Sequence, residues 1–343
     1  MAVTIKDIAR RAGVSHTTVS RALLGSSLIS AGTTERVRRI ASDMGYRPSA
    51  AARSLKTNRS EVLGVIVSSI DDPYFSEVLQ GIENTAQESG YSLFIAASHR
   101  DPEREHAIVQ AMVEHRVEGV IICSSSFSAQ RGRDFAEYGV PIVAVNNQAS
   151  EDYRYSIYHD DIAGSRQVTS YLIGLGHQYL AYLGNSSSGR TNQDRLLGFE
   201  DAMQAAGLPV SSEYVFAIDY GRPGAVDEAT HELLVMEPRP TALVCYNDMM
   251  AIEAMNSLHA ANLRVPDQIS VTGFDNIVFS AYTRPALTTF DQPKRFIGEE
   301  AGRLLLSLVG KEAGEESPAE SNVRILRGKL LVRDSTARPL HRS

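Results

Sequence analysis

Apolar residues recur at helical spacing three times before residue 45, and after residue 60 short apolar runs alternate with amphipathic stretches. In Thr4–Ala12, residues Ile5, Ile8, Ala9 and Ala12 share one face, and Thr4 with Asp7 forms a capping-box-like start. Gly13 ends this helix and Ser15 caps the next, whose buried stripe is Val19, Ala22 and Leu23. Two short helices joined by a glycine turn predict a helix-turn-helix. A third helix, Thr33–Met44, turns Val37, Ile40, Ala41 and Met44 inward and stops at Gly45. Pro48–Lys56 then reads as a helix start, proline followed by alanines. It is shorter than the roughly 12–15 residues at which an isolated helix becomes marginal in water, so it is expected to be helical only when something holds it.

The longer remainder predicts strands at Val62–Val67, Ser92–Ala96, Gly119–Cys123 and Pro141–Val145. They are interleaved with helices at Phe75–Glu88, Pro102–His115 and Phe127–Tyr138. Further on, strands are predicted at Tyr179–Leu183, Val215–Ile218, Ala242–Tyr246 and Ile269–Phe274. Helices are predicted at Ile162–Leu175, Gln193–Ala206, Gly224–Met236, Met249–Ala261 and Arg295–Val309. Such alternation predicts an α/β body of two parallel-sheet subdomains covered by helices.

Charge divides the chain at the same place. Residues 1–60 carry 11 Lys and Arg against 3 Asp and Glu, while the rest carries 23 against 38, giving −7 overall. A basic head on an acidic body points to a polyanion partner confined to the head. Cys123 and Cys245 lie in apolar runs without metal-ligand spacing, so no metal or other cofactor is expected. No run reaches the ~18 apolar residues of a membrane span, and no signal-peptide core is visible, which makes the cytoplasm the expected compartment. There is no dinucleotide or phosphate-loop glycine pattern after a strand and no nucleophile elbow, so an enzyme is not expected.

On the second helix His16, Thr17, Ser20 and Arg21 face outward. Arg21 offers a bidentate donor pair for guanine, threonine methyls can meet thymine, and Ser15 and Thr18 suit phosphates. Serines and threonines at a helix start are usually caps alone; here cap, glycine turn, second cap and outward arginine occur together. In the body, polar residues gather at predicted strand ends, where open α/β sheets bind ligands. They include Ser68, Ser69, Asp71 and Asp72, then Ser124–Ser126, Asn146, Asn185–Ser188, Asn247 and Asp275. Arg190 and Arg195 follow the serine-rich loop. The set suits a small polyhydroxylated ligand, with Tyr74 or Phe75 as a stacking face. Any one such residue is more often a turn or cap; a set spread over six strand ends is not. Asp160 and Asp161 fit a loop and helix cap better than a metal site.

Thr4–Ala9, Ala12–Ser15, Thr18–Arg21, Gly45–Pro48 and Ala52–Leu55 together resemble the headpiece of the LacI/GalR (lac-repressor) family of bacterial transcription regulators. Pro73–Phe75, Gly174–His177, Arg195–Phe199, Asn247–Asp248, Ser270–Asp275 and Leu287–Thr289 extend the resemblance over the body, which is similar to type I periplasmic-binding-protein folds. The resemblance implies a headpiece at residues 1–47, a hinge helix and linker at 48–60, an effector-binding and dimerisation body at 61–335 and a tail at 336–343. It places Thr4, Ala52, Leu55 and Lys56 beside Ser15, His16, Thr17, Thr18, Ser20 and Arg21 at DNA, with Leu55 wedged into the minor groove. It also implies that Arg195, Asn247 and Asp275 contact effector and that Phe75, Asn146 and Gln292 line the cleft. Asn146 stands where relatives often carry Asp, and no tryptophan is available for stacking.

The expectation is therefore a transcriptional repressor that binds a palindromic operator as a homodimer and answers to a small effector, most simply a sugar. Leu330–Ser343 lacks heptads for a tetramerising coil. Alternatives are a regulator responding to a purine or, through Arg303, to a phosphocarrier protein, and more remotely a solute-binding protein for uptake.

Overall fold

The computed structural model describes residues 3–46, 59–123, 139–146, 155–309 and 322–340. Backbone contacts divide the chain into Met1–Ser60 and Glu61–Ser343. The predicted hinge helix, with Ala52, Leu55 and Lys56, lies outside the described residues, as do Ser124 and the predicted helix Phe127–Tyr138.

The first unit contains α1 (Ile5–Ala12), α2 (His16–Leu23) and α3 (Ala31–Asp43). Thr4 and Asp7 form the full capping box: the Asp7 N–H donates to Thr4 Oγ1 at 3.4 Å and the Thr4 N–H to Asp7 Oδ2 at 3.0 Å. Gly13 takes the left-handed conformation (φ 66°) that ends α1. Ser15 Oγ accepts the Thr18 N–H at 3.0 Å and starts α2. α3 begins two residues before its predicted start because Ser30, not a later residue, supplies the cap. Ile8, Ala9, Ala12, Val19, Ala22, Val37 and Ala41 form a small core of short side chains that lets three helices approach closely.

In the second unit the first sheet comprises β1 (Val62–Val67), β2 (Ser92–Ala97), β3 (Val120–Cys123), β4 (Ile142–Val145), β5 (Tyr155–His159) and β11 (Asn322–Leu326). Their order is β11-β5-β4-β3-β1-β2. The second comprises β6 (Leu180–Asn185), β7 (Val215–Ile218), β8 (Ala242–Cys245), β9 (Ser270–Asp275), β10 (Thr288–Asp291) and β12 (Lys329–Leu331), in the order β12-β10-β9-β8-β6-β7. All pairings are parallel except β10 with β12, an antiparallel edge. The flanking helices are α4 (Pro73–Glu88), α5 (Pro102–Glu114), α6 (Asp161–Gly174), α7 (Gly189–Ala205), α8 (Ala225–Leu234), α9 (Asp248–Ala260) and α10 (Lys294–Leu308). None among the described residues is long and apolar enough to cross a membrane.

Four strands were not legible in the hydrophobic pattern: β5, β10, β11 and β12. Their sequences, such as Tyr-Ser-Ile-Tyr-His and Thr-Thr-Phe-Asp, mix polar and apolar residues without a run, yet Ser156, His159, Thr288 and Thr289 are all buried. These strands lead into or out of the passages between lobes. The chain crosses after β5, after β10 and after β11, and the passages touch: the Asp160 N–H donates to Leu326 O at 3.2 Å. Beyond β12, Tyr171 Oη lies 2.9 Å from Thr336 Oγ1 and His177 Nε2 2.9 Å from Ala337 O, so the folded body runs past Ser335.

Although α10 follows the second sheet, it packs on α4 of the first lobe. A Cβ on Gly81 would lie 2.1 Å from Arg295 O, and one on Gly298 would lie 2.0 Å from Val78 O. Backbone on both sides leaves no room to yield. Gly81→Ala is expected to destabilise the body by about 1–3 kcal/mol through overpacking, read as a lower urea midpoint. An unchanged midpoint would refute the close helix crossing.

Candidate functional site

Residues beyond the carboxyl ends of the two sheets meet across a cleft, and Arg195 lies buried on its second-lobe side. Its place on α7 brings the guanidinium, 5% exposed, against the start of α6, just past the first crossing between lobes, and against the ends of β8 and β9. Nε donates to Asp161 Oδ1 at 2.7 Å, Nη1 to Tyr246 O at 2.6 Å, and Nη2 reaches Asp275 Oδ1 at 3.5 Å. The guanidinium carbon lies 4.0 Å from the Phe274 ring centroid and 4.6 Å from that of Tyr246. Burial works against its charge, but Asp161 and Asp275 outweigh burial and hold the proton more firmly than in free arginine.

The two carboxylates are not equivalent. Burial raises the pKa of each, but at Asp161 the close Arg195 and neighbouring His159 overcome it and the net shift is downward. At Asp275 burial wins, with Asp248 and Asp72 adding repulsion, and the pKa stands well above the usual carboxylate range. The distances of 2.7 and 3.5 Å agree with that asymmetry. Asp161 is the ion-pair partner; Asp275 is the under-compensated acceptor. Gln292 Nε2 donates to Asp275 Oδ1 at 2.6 Å, and Lys294 Nζ donates to its backbone carbonyl at 2.5 Å.

From Gln292 the chain of polar contacts enters the first lobe. Tyr74 Oη donates to Gln292 Oε1 at 3.3 Å and accepts from Asn146 Nδ2 at 2.6 Å. Burial pushes the Tyr74 hydroxyl well above its ordinary pKa, so it stays a neutral donor. Strained backbone gathers at these strand ends: His99, Arg100, Asn146, Asp275 and Asn276 all have positive φ.

Of the predicted effector residues, Tyr74, Asn146, Arg195, Asp275 and Gln292 thus meet in one buried network. Asp72 caps α4 by accepting the Tyr74 N–H at 3.0 Å, and burial raises its pKa. Asn247 caps α9 by accepting the Met250 N–H at 2.9 Å. Phe75 is packed in the first lobe's apolar core, edge-on to Tyr74 at 5.2 Å between centroids. Asp160 caps α6, accepting the Ala163 N–H at 3.0 Å. Asp161, read with it as a cap, is instead the buried partner of Arg195. Tyr246, Lys294 and Arg100 carry no motif that marks them in the sequence, apart from the place of Tyr246 one residue before the strand-end Asn247.

In the headpiece, His16, Thr17 and Arg21 are exposed and Ser20 is half-buried on α2, while Val19 and Ala22 turn inward. Ser15 Oγ and Thr18 Oγ1 share a 2.8 Å hydrogen bond at the cap, and Thr4 holds its capping box. Arg36, Arg38 and Arg39 of α3 are exposed as well.

Residues 4–49 match the family model for bacterial regulatory proteins of the lacI family, and residues 60–328 match that for periplasmic binding proteins and the sugar binding domain of the LacI family. The chain is 35% identical over 337 residues to the HTH-type transcriptional repressor PurR of Serratia proteamaculans (strain 568), covering 97% of each. Among solved structures it is similar to the lac repressor dimer bound to operator and the anti-inducer ONPF, with a TM-score of 0.85 and 28% identity over 98% of this chain and 100% of that one. It is also similar to the regulator CelR in complex with cellobiose, with a TM-score of 0.71 and 27% identity over 97% and 99% of the two chains. Headpiece, two-lobed body and full-length similarity agree: the chain belongs to the LacI family of bacterial regulatory proteins.

Proposed function

We propose that this regulator is a homodimeric repressor of the cytoplasm, acting on a palindromic operator at the nucleoid, whose DNA affinity is set by a sugar-class effector in the cleft. The observation that carries the reading is the buried network from Asp161 through Arg195, Asp275, Gln292 and Tyr74 to Asn146, which joins both lobes at their passages. Its donors and acceptors suit hydroxyls, and Asp275 has capacity to accept one. Phe75, the expected stacking face, is turned into the core, which removes that platform for sugar and purine alike and leaves the hydroxyl-matched polar groups to carry the sugar reading. Arg303 is ion-paired with Glu299 at 3.0 Å and with Glu300, which argues against it as a phosphocarrier contact. The protein acts by binding, without catalysis.

On the DNA side, His16, Thr17, Ser20 and Arg21 read base edges, Thr4, Ser15 and Thr18 approach phosphates, and Ala52, Leu55 and Lys56 belong to a hinge at residues 48–60. Exposed Val278, Phe279 and Tyr282 in the second lobe, with Phe94 and Ile95 on the edge strand of the first, supply apolar surface for a second copy. Effector shifts the balance between lobe arrangements and so the spacing of the paired hinges.

Arg195→Lys keeps the charge but cannot serve Asp161, Tyr246 and Asp275 together. Thermal melts over monosaccharides and disaccharides are expected to lose the ligand-induced rise in Tm in this variant, and a retained rise would sink the site assignment. Leu55→Ala is expected to weaken operator binding about tenfold or more while the ligand-induced rise in Tm persists. Undiminished operator affinity in titrations at fixed salt would refute the wedge.

A further inference from the structure

One corner of the cleft differs chemically from the hydroxyl-binding centre, and its meaning rests on the effector reading above. α7 starts there without a side-chain cap. The Ser188 hydroxyl at its N-cap position is engaged by Tyr246 Oη instead. The N–H groups of Gly189, Arg190 and Thr191 therefore find no acceptor among the described residues. No acid stands in the first turn, so the positive end of the helix dipole is uncompensated.

Independent of the helix end, Asn185 closes β6 beneath this loop, fully buried. Its Oδ1 accepts both the N–H and the hydroxyl of Ser187, at 3.1 and 2.9 Å, which holds the carboxamide against the loop. Its Nδ2 has no partner among the described residues. A buried donor left unsatisfied costs free energy comparable to a lost hydrogen bond, and an acceptor delivered from outside the protein would relieve it.

Two cations complete the corner. Arg190, in the first turn of α7, uses Nε on Asp194 at 2.7 Å, and its terminal nitrogens have no partner among the described residues. Arg100 comes from the opposite lobe. It sits in the Ser98–Asp101 turn, where His99 and Arg100 both hold left-handed φ of 53° and 59°. That turn sends the guanidinium across the cleft mouth to Ser187 Oγ at 3.4 Å, and no carboxylate lies within ion-pair distance of it among the described residues. Asp72 is an opposing acid within its electrostatic reach.

We propose that this corner is an anion subsite, and that the effector is a sugar carrying a phosphate or carboxylate, its anionic end on the α7 N-terminus between Arg190 and Arg100. The sugar hydroxyls then face Arg195 and Asp275. From Arg190 to Arg195 the helix rises roughly 8 Å, the reach of one sugar ring and its ester.

The test uses the full chain and begins with inorganic phosphate as probe, compared with sodium chloride at equal ionic strength. Phosphate is expected to raise Tm beyond chloride, and the excess is expected to vanish in the Arg100→Ala/Arg190→Ala double variant. No excess, or an excess the double variant keeps, overturns the subsite. Matched pairs follow: glucose with glucose 6-phosphate, ribose with ribose 5-phosphate, and gluconate for the carboxylate. The anionic member is expected to bind about tenfold or more tightly, with that advantage lost in the double variant. Phosphate esters leading over gluconate assigns the phosphate form, and the reverse order assigns the acid. A neutral sugar that shifts both Tm and operator affinity, with phosphate silent, overturns this inference and leaves the effector cleft standing. A phosphate shift that depends on both arginines, with no ligand altering operator affinity, supports the subsite and refutes the effector reading instead.

Discussion

The Asp161–Arg195 ion pair is the contact on which the body's geometry depends. It is buried on both sides, with side-chain exposures of 3% and 6%. Taking two charges out of water costs several kcal/mol per ion, recovered only when geometry is close and every remaining donor is used. Here Nε serves Asp161, Nη1 a backbone carbonyl and Nη2 Asp275, while two aromatic rings flank the plane. Removing either partner would strand a buried charge at a cost of about 3–5 kcal/mol. The pair therefore fixes where α6 enters the second lobe relative to α7.

Position gives that pair its wider reach. Asp161 lies immediately after the first passage between lobes, and Gln292, which binds Asp275, lies in the second. The third passage is pressed against the second: a Cβ on Gly328 would stand 2.2 Å from Asp291 O. The first passage is in turn hydrogen-bonded to the third, from the Asp160 N–H to Leu326 O, so the three are linked by direct contact. A rotation of one lobe must move all three, which is how a small change at one polar group becomes a discrete rearrangement.

The sequence carried the headpiece well because its signals are local. A capping box, a left-handed glycine and a serine cap lie within a dozen residues and each has a direct backbone consequence. The helices and central strands of the body were legible for the same reason, with boundaries off by one to four residues where a cap such as Ser30 or Asp72 set the true start. What stayed hidden depends on distant partners. β5 looks like a polar loop until both its faces are covered, and Asp161 looks like the second half of a cap until α7 brings Arg195 to it across 34 residues of sequence. Phe75 shows the converse: an aromatic beside a strand end suggests a ligand face, but helical spacing from Asp72 turns it into the core.

In the proposed switch the decisive asymmetry is between the two carboxylates on Arg195. Because Asp161 takes the closer bond, Asp275 retains an unmet need for donors, supplied in this structure by Gln292. In that proposal a ligand hydroxyl offered to Asp275 shares the carboxylate with the glutamine, whose bond is to Oδ1. Gln292 also accepts from Tyr74, which in turn accepts from Asn146, so releasing or re-aiming the amide is felt at once in the first lobe. A ligand that bound equally well whatever Gln292 did would shift nothing, however tightly it bound. The proposed coupling arises because the group that shares Asp275 with the ligand is the one that joins the two lobes at their passage.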